Sequence, residues 1–260
     1  MCGAAVVAMS YEWARMSEPD NFMPAFLFTL VGSLGAVMFS SWGELSLAFY
    51  WMVGCALASA FRRRAMPGIL ETAGGAIYIG LPCAVFLWLR DRGPEGLATI
   101  LALFAIIWAA DIFAYFGGKL IGGPKIARGL SPNKTYSGII TGTLAGAAVG
   151  YGCGVVFQVE PSLHMPWLLI GALVAFTGLM GDLFESFLKR RFGVKDASKL
   201  IPGHGGVLDR IDSLMAATLL VGAALAFGPG ATALLFGRGL CRARSPFLAS
   251  RDPSANRRSR

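Results

Sequence analysis

Apolar residues run along this sequence in blocks, not at alternating positions. Seven blocks, at 22–41, 45–61, 68–89, 97–116, 136–157, 165–188 and 211–227, are each about twenty residues long and nearly free of charge. A block of that length crosses a hydrocarbon core of about 30 Å as an α-helix. Inside lipid, every backbone N–H and C=O must find its partner within the segment, which helices achieve. The pattern predicts an all-α, polytopic integral membrane protein with about seven transmembrane helices. The blocks at 45–61 and 211–227 are the shortest, at the lower limit for spanning. The first twenty residues contain Glu12, Arg15, Glu18 and Asp20, too much charge for the apolar part of a secretory signal. No internal repeat stands out.

The connections between blocks carry charge on one side. Arg62, Arg63 and Arg64 follow the second block; Lys119, Lys125, Arg128 and Lys134 follow the fourth; Lys189, Arg190, Arg191, Lys195, Lys199 and Arg210 follow the sixth. That gives thirteen bases, against Arg90 and Arg92 in the alternate connections. Bases stay on the cytoplasmic side, so these loops and the N-terminus are expected there. Seven crossings would then put the C-terminus outside, where its arginines run against the rule. The expected organisation is one transmembrane catalytic domain over 1–228, with its motifs in 108–213. A basic tail follows at 229–260, whose Ser, Pro and Arg content reads as disordered.

Composition agrees. The chain of 260 residues is 55% hydrophobic and 15% charged, whereas soluble domains carry about 25% charged residues. Its 34 glycines suit close helix packing in lipid. The five cysteines are far apart and form no metal or disulfide pattern. The net charge of +8 is explained by the loop bases, so no nucleic-acid partner is expected.

Ionisable residues within membrane spans mark function. Here they are Glu71, Asp111, Asp182, Glu185 and Asp212. Asp182 and Glu185 are three apart and share a helix face. The loop that follows joins three chemistries: the bases Lys189, Arg190 and Lys195; the turn Pro202-Gly-His204-Gly205-Gly206; and the spaced acids Asp209 and Asp212, with Arg210 between them. Lys and Arg bind phosphate oxygens. Consecutive glycines bring backbone N–H groups close to phosphate. Aspartates hold Mg²⁺ together with substrate phosphates. Upstream, Asp111 ends a span, and the segment from Ser131, where Ser131-Pro132 marks a turn, offers Lys134 and Thr135. Each feature alone has a plain reading. A basic loop is usually a topology signal, Glu71 and His164 read as structural, and His204 either acts on substrate or shapes its turn. It is the joint spacing that points to a metal-assisted reaction on a polyphosphate at the membrane face.

From Ser186 to Asp212 the residues resemble the signature of the phosphatidate cytidylyltransferase (CDP-diacylglycerol synthase) family. Ser186, Lys189, Arg190, Lys195, Asp196, Ser198, Pro202, His204, Gly205, Gly206, Asp209, Arg210 and Asp212 fall in its register. Asp111-x-x-Ala-Tyr, Ser131-Pro-x-Lys-Thr-x-x-Gly138 and Gly181-Asp-Leu-x-Glu-Ser186 resemble it too. The resemblance implies transfer of CMP from CTP to phosphatidic acid, releasing pyrophosphate. It also implies Mg²⁺ on Asp182 and Asp209, and potassium at a second metal position. Lys189, Arg190, Lys195 and Arg210 would hold phosphates, with Lys134 and Thr135 assisting. Family members begin with one or two further spans before a pair like Glu12-Trp13, and they resemble homodimers. A bacterial inner membrane is the expected location. Two other readings stay open. One is a CTP-dependent kinase of a polyprenol or phytol-type alcohol, which attacks the γ- and not the α-phosphate. The other is a transporter, whose ionisable residues would lie at mid-membrane.

Overall fold

A computed structural model describes residues 2–227, apart from 63–65, 128, 160, 199 and 201–204. The tail at 229–260 and His204 lie outside the described residues. The element order is α1 (Cys2–Ser17), α2 (Phe22–Ser41), α3 (Leu45–Arg62), α4 (Met66–Arg90), α5 (Pro94–Leu120), β1 (Lys125–Ala127), β2 (Ser131–Thr135), α6 (Tyr136–Val156), α7 (His164–Arg191) and α8 (Leu208–Phe227). Six helices (α2 and α4 to α8) are long and apolar enough to cross a membrane; α3 has a shorter apolar stretch, Leu45–Ser59. The seven apolar blocks of the sequence are therefore α2 to α8.

Two elements lie outside that expectation. The charged N-terminal segment forms α1, whose Val6, Met9, Trp13 and Met16 pack against Ile79 and Cys83 of α4 and Leu208 and Met215 of α8. Their spacing, mostly three or four residues, is one helix face. Ser131-Pro132, expected as a turn, instead begins β2, which pairs antiparallel with β1 in the register Lys125↔Thr135. In a two-stranded ribbon both strands are edges, so a proline is tolerated.

The main core joins Val85, Leu103, Ile106, Ile107, Trp167, Val174, Ala217 and Val221 from α4, α5, α7 and α8. Outward-facing apolar residues such as Tyr50, Trp108, Leu144 and Leu169 face lipid in a spanning helix. Glycines set the closest helix contacts. Gly138, Gly142, Gly146, Gly150 and Gly154 recur every four residues on α6 and are all buried. A Cβ on Gly142 would stand 2.7 Å from the Ala110 carbonyl of α5, and one on Gly150 2.6 Å from the Trp167 carbonyl of α7. Small residues at this spacing let backbones meet where lipid supplies no hydrophobic driving force. α6 thereby draws α5 and α7 together. Ser40 adds a cross-helix hydrogen bond, donating to the Ala84 carbonyl at 2.5 Å.

Candidate active site

α7 carries Asp182, Glu185 and Lys189 at i, i+3 and i+7, one face of the helix. α8 opens with Asp209 in its first turn and Asp212 three residues later. The two faces meet because α7 has glycine where α8 crosses it. A Cβ on Gly181 would lie 2.5 Å from the Ala216 Cβ and 3.0 Å from the Asp212 carbonyl oxygen. The Lys189 Nζ then sits 2.6 Å from Asp209 Oδ1 and 3.4 Å from Glu185 Oε2. Glu185 is buried at 1% exposure and adjoins Asp212. Asp212 and Lys189 are its polar neighbours.

Asp209 is held from its other side by backbone. Its Oδ2 accepts from Gly206 N at 2.8 Å and from Ala197 N at 3.3 Å. Gly205, just before, has φ +83°, a left-handed conformation that glycine adopts without steric penalty. The turn read in the sequence as a phosphate cradle thus points one of its amides at Asp209.

The facing wall comes from β2 and α5. Lys134 Nζ reaches across to Asp182 Oδ2 at 2.5 Å. Thr135 caps α6, its hydroxyl accepting from Gly138 N at 3.1 Å, as an N-cap residue does. Ser137 donates to the Gly122 carbonyl and so ties the start of α6 to the segment before β1. Asp111 and Tyr115 enter from α5. Lys134, Thr135, Asp111 and Tyr115 together with the acids and Lys189 of α7 and α8 line a cavity of about 450 Å³.

The cavity collects much of what the sequence predicted. Asp111, Ser131, Lys134, Thr135, Asp182, Lys189, Asp209, Arg210 and Asp212 all line it. Gly205 and Gly206 stand behind Asp209. Ser186, Arg190, Lys195 and Asp196 are outside the lining, the last three exposed. Glu71 lies outside the lining, and its backbone carbonyl accepts from Trp13 Nε1 at 2.9 Å. His164 contacts the Val159 carbonyl at 3.1 Å and the Tyr151 ring, which also fits its plain reading.

Two residues matter more than the sequence suggested. Glu185 lines the cavity, and its signal was present: an acid one turn from Asp182. Glu12 of α1 is fully buried, and its Oε1 and Oε2 accept from Val207 N and Leu208 N, both at 2.8 Å. No spacing rule links positions so far apart in sequence.

The charge balance of the lining is informative. Asp111, Asp182, Glu185, Asp209 and Asp212 face Lys134, Lys189 and Arg210, an excess of two negative charges when all are ionised. A phosphate-bearing substrate entering such a cavity needs added cations, so the donor set fits a divalent metal. Among the described residues no three acids already form a metal cage.

The model of the cytidylyltransferase family matches residues 1–227. The chain is 37% identical over 217 residues to a phosphatidate cytidylyltransferase of Brucella abortus, covering 83% of this chain and 79% of that protein. It is 34% identical over 242 residues to the phosphatidate cytidylyltransferase of Pseudomonas aeruginosa, covering 88% and 87%. With that of Rickettsia bellii it shares 40% identity over 146 residues, 54% of this chain and 63% of that protein.

Proposed function

We propose, from the premise that this chain belongs to the cytidylyltransferase family, that it transfers CMP from CTP to phosphatidic acid, giving CDP-diacylglycerol and pyrophosphate. The observation that carries the reading is the meeting of five acids and three bases in one cavity, within helices long enough to span a bilayer.

The chemistry follows from the substrates. An oxygen of the lipid phosphate attacks the α-phosphorus of CTP. The bond from that phosphorus to the oxygen bridging to the β-phosphate breaks, and pyrophosphate leaves with that electron pair. The nucleophile is already anionic at neutral pH, so no strong general base is needed. Positioning and charge stabilisation are the main contributions asked of the protein. Lys189 and Arg210, both lining the cavity, would hold phosphate oxygens. Lys134 would exchange its contact with Asp182 for one with the nucleotide. Asp182 and Asp209 would hold Mg²⁺, which when bound would offset charge on the triphosphate and the leaving pyrophosphate. Arg190 and Lys195, exposed outside the lining, are suited to drawing in anionic substrate.

The bases of the connecting loops support a cavity open to the cytoplasm, and the apolar helices together with the bacterial relatives support an integral location in a bacterial inner membrane. CTP arrives from that side, while the lipid keeps its chains in the bilayer and its phosphate at headgroup level.

Product analysis tests the reading. Detergent-purified protein is incubated with Mg²⁺, phosphatidic acid and CTP. Pyrophosphate and CDP-lipid in equal amounts are expected. CDP without CDP-lipid, with a lipid alcohol as acceptor, would replace this reading with a kinase. Solute flux in liposomes without CTP turnover would replace it with a transporter.

A further inference from the structure

Among the described residues, Glu12 is the most completely buried acid outside the cavity. It is 0% exposed on α1, a helix that contributes nothing to the cavity lining. A carboxylate in such a place is destabilising unless its oxygens are fully occupied. Here they are. Oε1 accepts from the Ser198 hydroxyl at 2.6 Å and from Val207 N at 2.8 Å, and Oε2 accepts from Leu208 N at 2.8 Å. Hydrogen bonds to an ionised acceptor are roughly twice as strong as neutral ones.

All three partners belong to the segment that delivers Asp209. Val207 and Leu208 stand just before it at the start of α8, where a carboxylate also meets the positive end of the helix dipole. Ser198 neighbours Ala197, whose N–H donates to Asp209. Gly206 is pinned on both sides. Its N–H donates to Asp209 Oδ2, while a Cβ at its Cα would stand 2.9 Å from both Glu12 oxygens. The backbone at 206–208 is thus clamped between Glu12 and the Asp209–Lys189 pair.

We propose that Glu12 is a positioning residue for the transfer reaction: through the 206–208 backbone it fixes where Asp209, and hence Lys189, faces the cavity. Glu12 itself touches no substrate. The inference rests on the cytidylyl-transfer reading for its kinetic arm and on geometry alone for its structural arm.

The experiment compares full-length wild type with Glu12→Gln, Glu12→Asp and Val6→Ala. Val6 is buried on the same helix and packs in the same apolar cluster, but its side chain makes none of these hydrogen bonds, so it reports what loosening α1 does by itself. Two quantities are measured: steady-state kinetics, with kcat and each KM separated and Mg²⁺ varied, and amide hydrogen exchange of peptides covering 205–210. Gln keeps the volume of Glu but loses its charge, and its amide turns N–H donors toward N–H donors. We expect Glu12→Gln to lower kcat at least about 30-fold and to raise the half-saturating Mg²⁺ several-fold, with KM for phosphatidate within about threefold. A misplacement near 1 Å has effects of this order. Exchange should speed up in 205–210 and stay unchanged in α5 and α6. Glu12→Asp should fall between Gln and wild type. Val6→Ala should melt earlier yet keep wild-type kcat.

Wild-type kcat in Glu12→Gln, or a loss matched by Val6→Ala at equal thermal destabilisation, overturns the proposal. If Glu12→Gln does not fold, Ser198→Ala takes its place. A several-fold loss of kcat with faster exchange in 205–210 supports the proposal, and no change in either overturns it. If wild type makes no CDP-lipid, the functional reading fails, and hydrogen exchange decides by itself: local loosening supports the clamp, and unchanged exchange overturns it.

Discussion

Lys189 and Asp209 form an ion pair of 2.6 Å that ties the end of α7 to the first turn of α8. The same ammonium lies 3.4 Å from Glu185, so one mostly buried cation serves two acids. Removing it leaves both carboxylates without their counter-charge. Lys189→Met is expected to destabilise the protein by roughly 1–3 kcal/mol, the range for a buried group left unsatisfied, and to abolish turnover. Adding Glu185→Gln should return part of the lost thermal stability without returning activity. Melting of the detergent-solubilised single and double variants, beside product assays, measures the two effects separately.

Asp209 and Asp182 occupy unlike settings. Asp209 is locked by Lys189 and two backbone amides, whereas Asp182 meets one lysine across the cavity. Replacing either with Asn keeps its size and removes its charge. Each variant should lose at least about 10²-fold in kcat, the scale of removing one preorganised electrostatic group. Asp209→Asn should also loosen the start of α8, seen as faster amide exchange there; Asp182→Asn should not.

The excess of acids in the cavity predicts a dependence on divalent cation. Chelation should abolish formation of CDP-lipid, and added Mg²⁺ should restore it. Lys134 is expected to act on the nucleotide side of this balance. In Lys134→Met the lining becomes more negative and loses a phosphate partner. KM for CTP should then rise about tenfold, or about 1.4 kcal/mol of binding. The Mg²⁺ needed for half-activity should not rise. An increase in both constants would place Lys134 on the metal and not on the nucleotide.

Much of this was legible in the sequence, for physical reasons that also explain what was not. Blocks of about twenty apolar residues have one stable form in lipid, so α2 to α8 could be read directly. The acids of α7 and α8 were legible because an ionisable group in a span has to be justified by a partner or a function. α1 was missed because Glu12 and Arg15 interrupt its hydropathy, although Val6, Met9, Trp13 and Met16 follow a helical period. The Lys134–Asp182 pair and the Glu12 clamp depend on how helices are brought together over long sequence separations, 195 residues for Glu12 and Val207. The hairpin was hidden by its shortness: three and five residues are too few for an alternating pattern to show.

The glycine stripe of α6 allows a prediction with its own control on the same helix. Gly150 and Gly152 are two residues apart, and their side-chain directions differ by about 200° around a helix of 3.6 residues per turn. A Cβ on Gly150 would stand 2.6 Å from the Trp167 carbonyl oxygen and 2.7 Å from Gly171 Cα, whereas a Cβ on Gly152 meets nothing within 4 Å. The clash at Gly150 is with backbone, which cannot rotate away as a side chain can. Gly150→Ala must push α6 and α7 apart, with an expected loss of roughly 1–3 kcal/mol typical of overpacking. Gly152→Ala should be neutral or slightly stabilising, because alanine is the better helix former. Thermal unfolding of both variants in one detergent makes the comparison. Activity should follow stability at Gly150, because α7 carries Asp182, Glu185 and Lys189, and a shift of its axis displaces all three from the groups of β2 and α8. Equal melting of the two variants would show that α6 and α7 are not in the close contact described, and the placement of Lys134 against Asp182 would lose its support.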